Sequence, residues 1–299
     1  MNNLAPIGLS TYIRLSHLKL TIEALKQNAL AEKSDLYIFS DGPKAGDEQK
    51  VIDTRKYLKT ITGFKTINII ERIKNSRVRN NRDGIKLLLN KYGKMIYLEE
   101  DNITAPGFLA YINKGLNFYK ENKKIFSICG YAPDMNIPND YDREYFVLQK
   151  FSGWGFGIWK DRYDQIKEIN KGELNNFKKT KKLKKFLKNV VSKNTLKLFE
   201  LDANKEIDAL DVKIVYHLFK NNLYSVFPIK SLIKNTGCDG SGTHCGMSDK
   251  YDVNLWNKLN FQFTTNIETD KKILRASHIF HRTSIKDRIR YFIKKIIDY

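Results

Sequence analysis

Apolar and polar positions alternate between two rhythms along the first half of the chain. Residues 4–13 are apolar and β-prone and predict a first strand. Ser16 is placed to cap a helical run in which Leu18, Ile22, Leu25 and Ala29 recur at helical spacing. DLYIF at 35–39 predicts strand two, ended by Ser40-Asp41-Gly42-Pro43, and a polar helix follows at 46–61. TINII at 66–70 predicts strand three. A basic helix at 79–91 carries Ile85, Leu88 and Leu89 and closes at Gly93. MIYL at 95–98 is strand four, a helix runs from Pro106 to about Tyr119, and IFSIC at 125–129 is strand five.

Strands that alternate with helices in this way predict an α/β fold with a mostly parallel sheet flanked by helices. Such sheets bind ligands at the carboxyl ends of their strands. Two acidic turns fall there: Asp41 after strand two, and Glu99-Glu100-Asp101 after strand four. The second half reads differently. It holds a Gly/Trp stretch, SGWGFGIW (152–159), and a lysine-rich stretch at 171–197. A helix at 205–221, a short strand at 223–227, a glycine-rich loop at 237–246 and a basic amphipathic C-terminal helix follow. No internal repeat is visible.

Composition narrows the classes. The 299 residues are 41% hydrophobic and 12% aromatic, enough to bury a core. No apolar run is long enough to span a bilayer, and the N-terminus reads as a strand rather than a signal peptide. Cys129, Cys238 and Cys245 form no metal-binding Cys-x-x-Cys pair, which suits a reducing cytoplasm. The net charge of +20 attracts polyanions: nucleic acid, anionic lipid or phosphorylated substrates.

Three adjacent carboxylates at a strand end repel one another unless cations or hydrogen-bond donors compensate. Two readings fit. Hard oxygen ligands suit Mg²⁺ or Mn²⁺, with diphosphate oxygens completing the shell. A solvated acidic loop opening the next helix fits equally well.

The stretch YLEEDNITAPGFLAYI resembles glycosyltransferases of the A-type fold, which are Rossmann-like. It is most similar to the Glu-Asp-Asp motif of the N-acetylglucosaminyltransferase I family and its bacterial relatives, with Ala105-Pro106-Gly107-Phe108 matching the helix start. The resemblance implies that Asp101 binds Mn²⁺ or Mg²⁺ and that Glu99 and Glu100 contact the donor sugar and ribose. The middle residue is usually Asp and here is Glu100. APIGLSTYIRL resembles the family's first strand, and implies that Arg14 reaches the nucleotide base; Ile13 stands where an Asn is usual. DLYIFSDGPK implies that Asp41 contacts the uracil or ribose. NSRVRNNRDGI resembles the segment beside the nucleotide and matches at Asn75, Arg79 and Asn81. Locally, Arg14 also reads as a surface charge and Asp41 as the shaper of an Asx turn.

SGWGFGIW resembles the family's Gly-Trp-Gly segment near the sugar and acceptor. Gly153, Trp154 and Gly155 are its expected contacts, while Trp159 reads as core, on a helix with Tyr163. EIDALDVKIVYHLFKNNLYSVFP resembles the segment that carries the catalytic base, with Leu210 in place of the usual Trp and Asp211 as the base. Asp208 is its competitor, and an N-cap role fits either. The loop at 235–246 resembles the C-terminal donor loop, in which His244 is an expected contact.

The resemblance thus implies an inverting, metal-dependent transfer from a nucleotide sugar, expected to be a UDP-sugar, to a glycan or lipid-linked acceptor in bacterial surface polysaccharide synthesis. The expected catalytic domain is 1–260, with a donor half at 1–130 and an acceptor half at 131–260. Residues 261–299 are expected to form a helical extension. Basic amphipathic stretches at 177–199 and 284–299 suit an anionic membrane surface, which places the protein in the cytoplasm, peripheral to the inner face of the plasma membrane. Two other classes compete. Nucleotidyl transfer lacks its Gly-rich loop after strand one, and a non-catalytic polyanion or membrane binder is suggested by the charge. No nucleic-acid recognition motif is present, so no nucleic-acid partner is expected.

Overall fold

The computed structural model describes residues 4–181, 183, 193–240 and 249–281. The first half follows the predicted rhythm. Strand β1 is Ile7–Thr11, β2 Asp35–Ser40, β3 Thr66–Glu71 and β4 Lys94–Glu99. Helices α1 (Leu15–Lys26), α2 (Glu48–Leu58) and α3 (Arg77–Tyr92) connect them. Strand β5 (Asn102–Thr104), helix α4 (Phe108–Phe118) and strand β6 (Ile125–Cys129) follow. The second half adds β7 (Tyr145–Leu148), β8 (Phe156–Trp159), α5 (Lys160–Tyr163), α6 (Lys171–Lys178), α7 (Lys193–Ala203) and α8 (Leu210–Asn221). It ends with β9 (Tyr224–Pro228), β10 (Ile233–Asn235) and α9 (Lys271–Phe280).

Eight strands form one sheet in the order β3-β2-β1-β4-β8-β6-β9-β7, and β5 and β10 form a separate antiparallel pair. Strands β1 to β4 are mutually parallel, and β6 and β9 run parallel to each other. Strand β8 is antiparallel to both β4 and β6, and β7 is antiparallel to β9. Inside its edge strand β3, which is only partly buried, the parallel part of the sheet is buried on both faces, which is why its strands read as continuous apolar runs. Side chains still alternate between two cores. Leu36, Ile38, Ile96 and Leu98 join α1 and α4 on one face. Tyr37, Phe39, Met95 and Tyr97 join Ile85, Leu88 and Leu89 of α3 on the other.

Four details differ from the sequence expectation. Helix α1 starts at Leu15 with Arg14 in the capping position, so Ser16 lies inside the first turn. The Arg14 side chain is turned to the acidic residues after β4 instead. Trp159 is core as expected, but it ends a strand rather than sitting on a helix. Helix α8 begins at Leu210 rather than 205, because Lys205 turns the chain with φ 63° and Asp202 accepts from the Ala209 amide. Strands β5, β7, β8 and β10 are absent from the sequence pattern; each has three or four residues, too few to show a period.

Residues 261–281 pack on the same body: Phe261 and Tyr111 meet edge to face at 5.0 Å, and Ile273 is fully buried. No helix among the described residues is long and apolar enough to cross a membrane. The expected C-terminal helix at 284–299 and most of the basic stretch at 177–199 lie outside the described residues.

Candidate active site

Strand order reverses at β1: β2 and β3 lie on one side, β4 on the other. Ligands bind at the carboxyl ends beside such a reversal. The loop after β1 and the acidic turn after β4 therefore meet there, although 86 residues separate Arg14 from Glu100.

Arg14 organises the turn. Its Nε donates to Glu100 Oε1 and its Nη2 to Asp101 Oδ2, both at 2.7 Å. Burial would lower the Arg14 pKa, but Asp101 and Glu100 raise it above its ordinary value, so the charge is permanent. Glu100 also accepts from the Thr11 hydroxyl and the Tyr12 amide at 2.6 Å each. This carboxylate holds the loop after β1, and a ribose contact would require exchanging these bonds. Asp101 Oδ1 accepts from the side-chain amides of Asn102 (2.8 Å) and Asn235 (3.1 Å). The β5–β10 ribbon delivers Asn235. Gly237 follows so closely that a Cβ there would lie 2.2 Å from Asp101 Oδ2. Only glycine fits.

Glu99 ends β4, and its carboxylate accepts from Asn81 Nδ2 at 3.3 Å. Burial, followed by repulsion from Asp101, pushes its pKa up from 4.5 to about 7. Asp41 is deeper. It accepts from the Gly42 and Ser76 amides and the Asn75 side chain, and so ties β2 to the start of α3. A nucleotide contact by Asp41 would compete with these donors. The exposed Arg79 side chain has no hydrogen bond or ion pair among the described residues. His244 lies outside the described residues.

Could this turn hold a divalent ion? Its oxygens are suitably hard. Asp101 Oδ2 retains one lone pair after bonding Arg14. Among the described residues, no group of three or more His, Cys, Asp or Glu could hold an ion alone. The turn therefore fits an ion only when ligand oxygens complete the shell. Arg14 Nη1 is buried without a hydrogen-bond partner among the described residues, so the turn also presents an unused donor for an anion.

A separate cleft of about 380 Å³ opens toward α8. Gly153, Trp154 and Asp211 line it together. Trp154 packs edge to face on Tyr131 at 4.7 Å. Asp211 is exposed in the first turn of α8, and its carboxylate has no hydrogen bond or ion pair among the described residues. Its competitor Asp208 is engaged: it pairs with Arg82 of α3 and with Lys213 at 2.5 Å. The Arg82–Asp208 pair joins α3, which carries Asn81, to the start of α8. Gly155 does not line the cleft; it has φ 68° and packs against Ile233. Sequence reading missed Lys150, Ser277 and His281, which line the same cleft from distant segments.

No family model matches the chain, and no curated protein matches it. Similar solved structures include the mannosyltransferase PcManGT from Pyrobaculum calidifontis in complex with GDP-Man and Mn²⁺ (TM-score 0.38, 12% identity, 52% of this chain and 44% of that one). They also include an active-site mutant of LgtC (TM-score 0.38, 11% identity, 72% and 70%). GalNAc-T7 with UDP, GalNAc and Mn²⁺ is a third (TM-score 0.45, 11% identity, 76% and 43%). The chain spans less than half the length of the first and third. These neighbours are glycosyltransferases of the A-type fold.

Proposed function

We propose that the chain is an inverting glycosyltransferase that moves a sugar from a UDP-sugar to a hydroxyl of a glycan or lipid-linked acceptor. One observation carries this reading. An acidic turn with a resident arginine lies at the sheet's switch point, and the free carboxylate of Asp211 lines a cleft on the neighbouring α8. The donor diphosphate would lie at Asp101 and Arg14, where Arg14 Nη1 still lacks an acceptor. Asp101 would hold Mn²⁺ or Mg²⁺ together with diphosphate oxygens. A bound ion there neutralises charge on the leaving nucleoside diphosphate.

The chain's own residues supply the rest. Glu99, Asn81 and Arg79 border the donor sugar and nucleotide. Asp41 and Glu100 hold the loops that shape this pocket, and His244 is a further donor-side contact. Trp154 and Gly153 form a wall for the acceptor. Asp211 takes the proton of the acceptor hydroxyl as its oxygen bonds to the anomeric carbon. The bond from that carbon to the phosphate oxygen breaks, and its electron pair leaves with the nucleoside diphosphate. Attack opposite the leaving group inverts the anomeric configuration.

In this reading residues 1–260 form the catalytic unit, with donor-binding residues in 1–130 and acceptor-binding residues in 131–260. Residues 261–299 extend it, and the basic segments at 177–199 and 284–299 bring it to an anionic membrane on the cytoplasmic side. The role is in bacterial surface polysaccharide synthesis. The test is hydrolysis of UDP-, GDP- and CMP-sugars with Mn²⁺, followed by NMR of the product anomer. Turnover of no donor, or retained configuration, refutes the corresponding part.

A further inference from the structure

The cleft beside Asp211 has an unusual chemistry at its far end. Its walls are mostly apolar or aromatic, including Met135, Phe146, Trp154 and Phe227. Lys150 enters this wall from the loop after β7 and is partly buried. Its amine has no hydrogen bond or ion pair among the described residues, although Asp211 lines the same cleft. The charge that bears on it is another cation, Lys250. Lys250 stands close by, its Nζ 5.9 Å from the Tyr251 ring centroid and 5.5 Å from that of Phe280.

Two further groups converge on the same cleft from α9. Ser277 is 1% exposed, and its hydroxyl is buried without a partner among the described residues. His281 Nδ1 lies 2.8 Å from the Ser277 carbonyl oxygen, which can only accept, so Nδ1 carries the proton. Nε2 then carries the lone pair of the neutral ring and is the nitrogen whose protonation a bound anion would favour. Two basic groups, Lys150 and His281, and one unsatisfied hydroxyl thus line a cavity whose single acid among the described residues, Asp211, is bonded to none of them. Burial, then repulsion from Lys250, pulls the Lys150 pKa down to about 7. Burial, then repulsion from Lys150, pulls His281 down to about 4. Each group is held back from the charge it would carry in water. An anion in the cleft would remove that penalty.

We propose that this end of the cleft binds a phosphate group of the acceptor, gripped by Lys150, His281 and the Ser277 hydroxyl. A phosphate suits the site better than a carboxylate. It brings nearly two charges to the two bases Lys150 and His281, and its several oxygens can serve both the amine and the hydroxyl. The aromatic walls take the part of the acceptor next to the phosphate. The inference rests on the reading of this cleft as the acceptor side, and it narrows the acceptor to a phosphorylated molecule.

Isothermal calorimetry on the full chain tests it with phenyl phosphate, benzoate and phenol. Phenyl phosphate is expected to bind at least fivefold more tightly than benzoate, with phenol weakest. Lys150→Met should weaken phenyl phosphate at least tenfold, Ser277→Ala about threefold, and Lys150→Arg should retain most of the affinity. Circular dichroism checks folding, and if Lys150→Met does not fold, Ser277→Ala and Lys150→Arg decide. Equal binding to wild type, Lys150→Met and Ser277→Ala overturns the proposal, as does benzoate binding as tightly as phenyl phosphate. Phosphate held at the acidic turn instead would be insensitive to Lys150 and Ser277. Failure of every donor in the hydrolysis screen, with Lys150-dependent phosphate binding intact, removes the transferase reading and leaves the anion site. Donor turnover without Lys150-dependent binding does the reverse.

Discussion

The two halves of the site treat their charged groups in opposite ways. At the ends of β1, β2 and β4, Glu100, Asp101 and Asp41 are each bonded by at least three protein donors. In the cleft beside α8, Asp211, Lys150 and the Ser277 hydroxyl bond nothing among the described residues. The first arrangement is preorganised, with the geometry fixed before any ligand arrives. The second leaves Asp211 to water and holds a buried hydroxyl, Ser277, unsatisfied until a ligand arrives, at a cost in stability. A donor-side substitution should therefore disturb both fold and function. A cleft-side substitution should disturb function while sparing the fold, or even stabilising it.

The strongest test of that contrast is Asp101→Asn. If Asp101 shares an ion with the donor diphosphate, the change should cut donor turnover by several kcal/mol, on the order of 10⁴-fold. It should also abolish Mn²⁺-dependent binding of UDP, read by calorimetry. Full activity of wild type in excess chelator would sink the metal role. Asp211→Asn comes next. If Asp211 is the base, its loss should lower kcat by roughly 10²–10⁴-fold with the donor KM unchanged. Because Asp211 is exposed and unpaired, urea unfolding should shift by no more than about 0.5 kcal/mol. A large loss of stability would contradict the contrast.

Arg14→Met probes the donor side through stability instead. It would leave Glu100 and Asp101, both nearly buried, without their cation. Breaking such a pair costs about 3 kcal/mol, measured by urea unfolding at pH 7. A surface arginine would cost far less, so a change under about 0.5 kcal/mol would return Arg14 to the surface-charge reading.

What the sequence disclosed follows the same division. Strands β2, β4 and β6 are legible to within a residue or two, because a buried parallel strand is a short unbroken apolar run; the edge strand β3, only partly buried, is legible from its Ile-rich β-prone run. The acidic turn was visible because its three residues are contiguous. Its arginine partner was visible only as an isolated residue, since nothing local links Arg14 to positions 86 and 87 residues away. In the second half, β8 lies within a Gly/Trp segment whose glycines argue for a loop, and β7 is only four residues long. Lys150, Ser277 and His281 come from two distant segments, and a lysine in a lysine-rich chain carries no signal of burial. Contiguous chemistry is legible; chemistry assembled across the fold is not.

The smallest effect expected is also the one that most directly separates the two regions: the pH dependence of stability in Lys150→Met. Burial leaves the Lys150 pKa at about 7 in the folded chain, against 10.5 ordinarily. Between those values the unfolded chain binds more protons than the folded one, so stability rises with pH. The penalty for burying the amine is therefore complete below pH 7 and relieved as pH climbs toward 10.5. Methionine fills similar volume without charge and never incurs that penalty. The variant should be more stable than wild type at pH 7, by on the order of 1 kcal/mol, and the advantage should shrink by pH 10. Glu99 on the donor side carries the opposite sign. Its raised pKa makes the folded chain bind more protons between 4.5 and about 7, so its contribution falls as pH rises through that window. The two windows meet near pH 7 without overlapping, and urea midpoints across pH 5 to 10 resolve them. A variant advantage that stays constant from pH 7 to 10 would mean that the Lys150 amine is solvated like any surface lysine, and the contrast between the two regions would lose its clearest member.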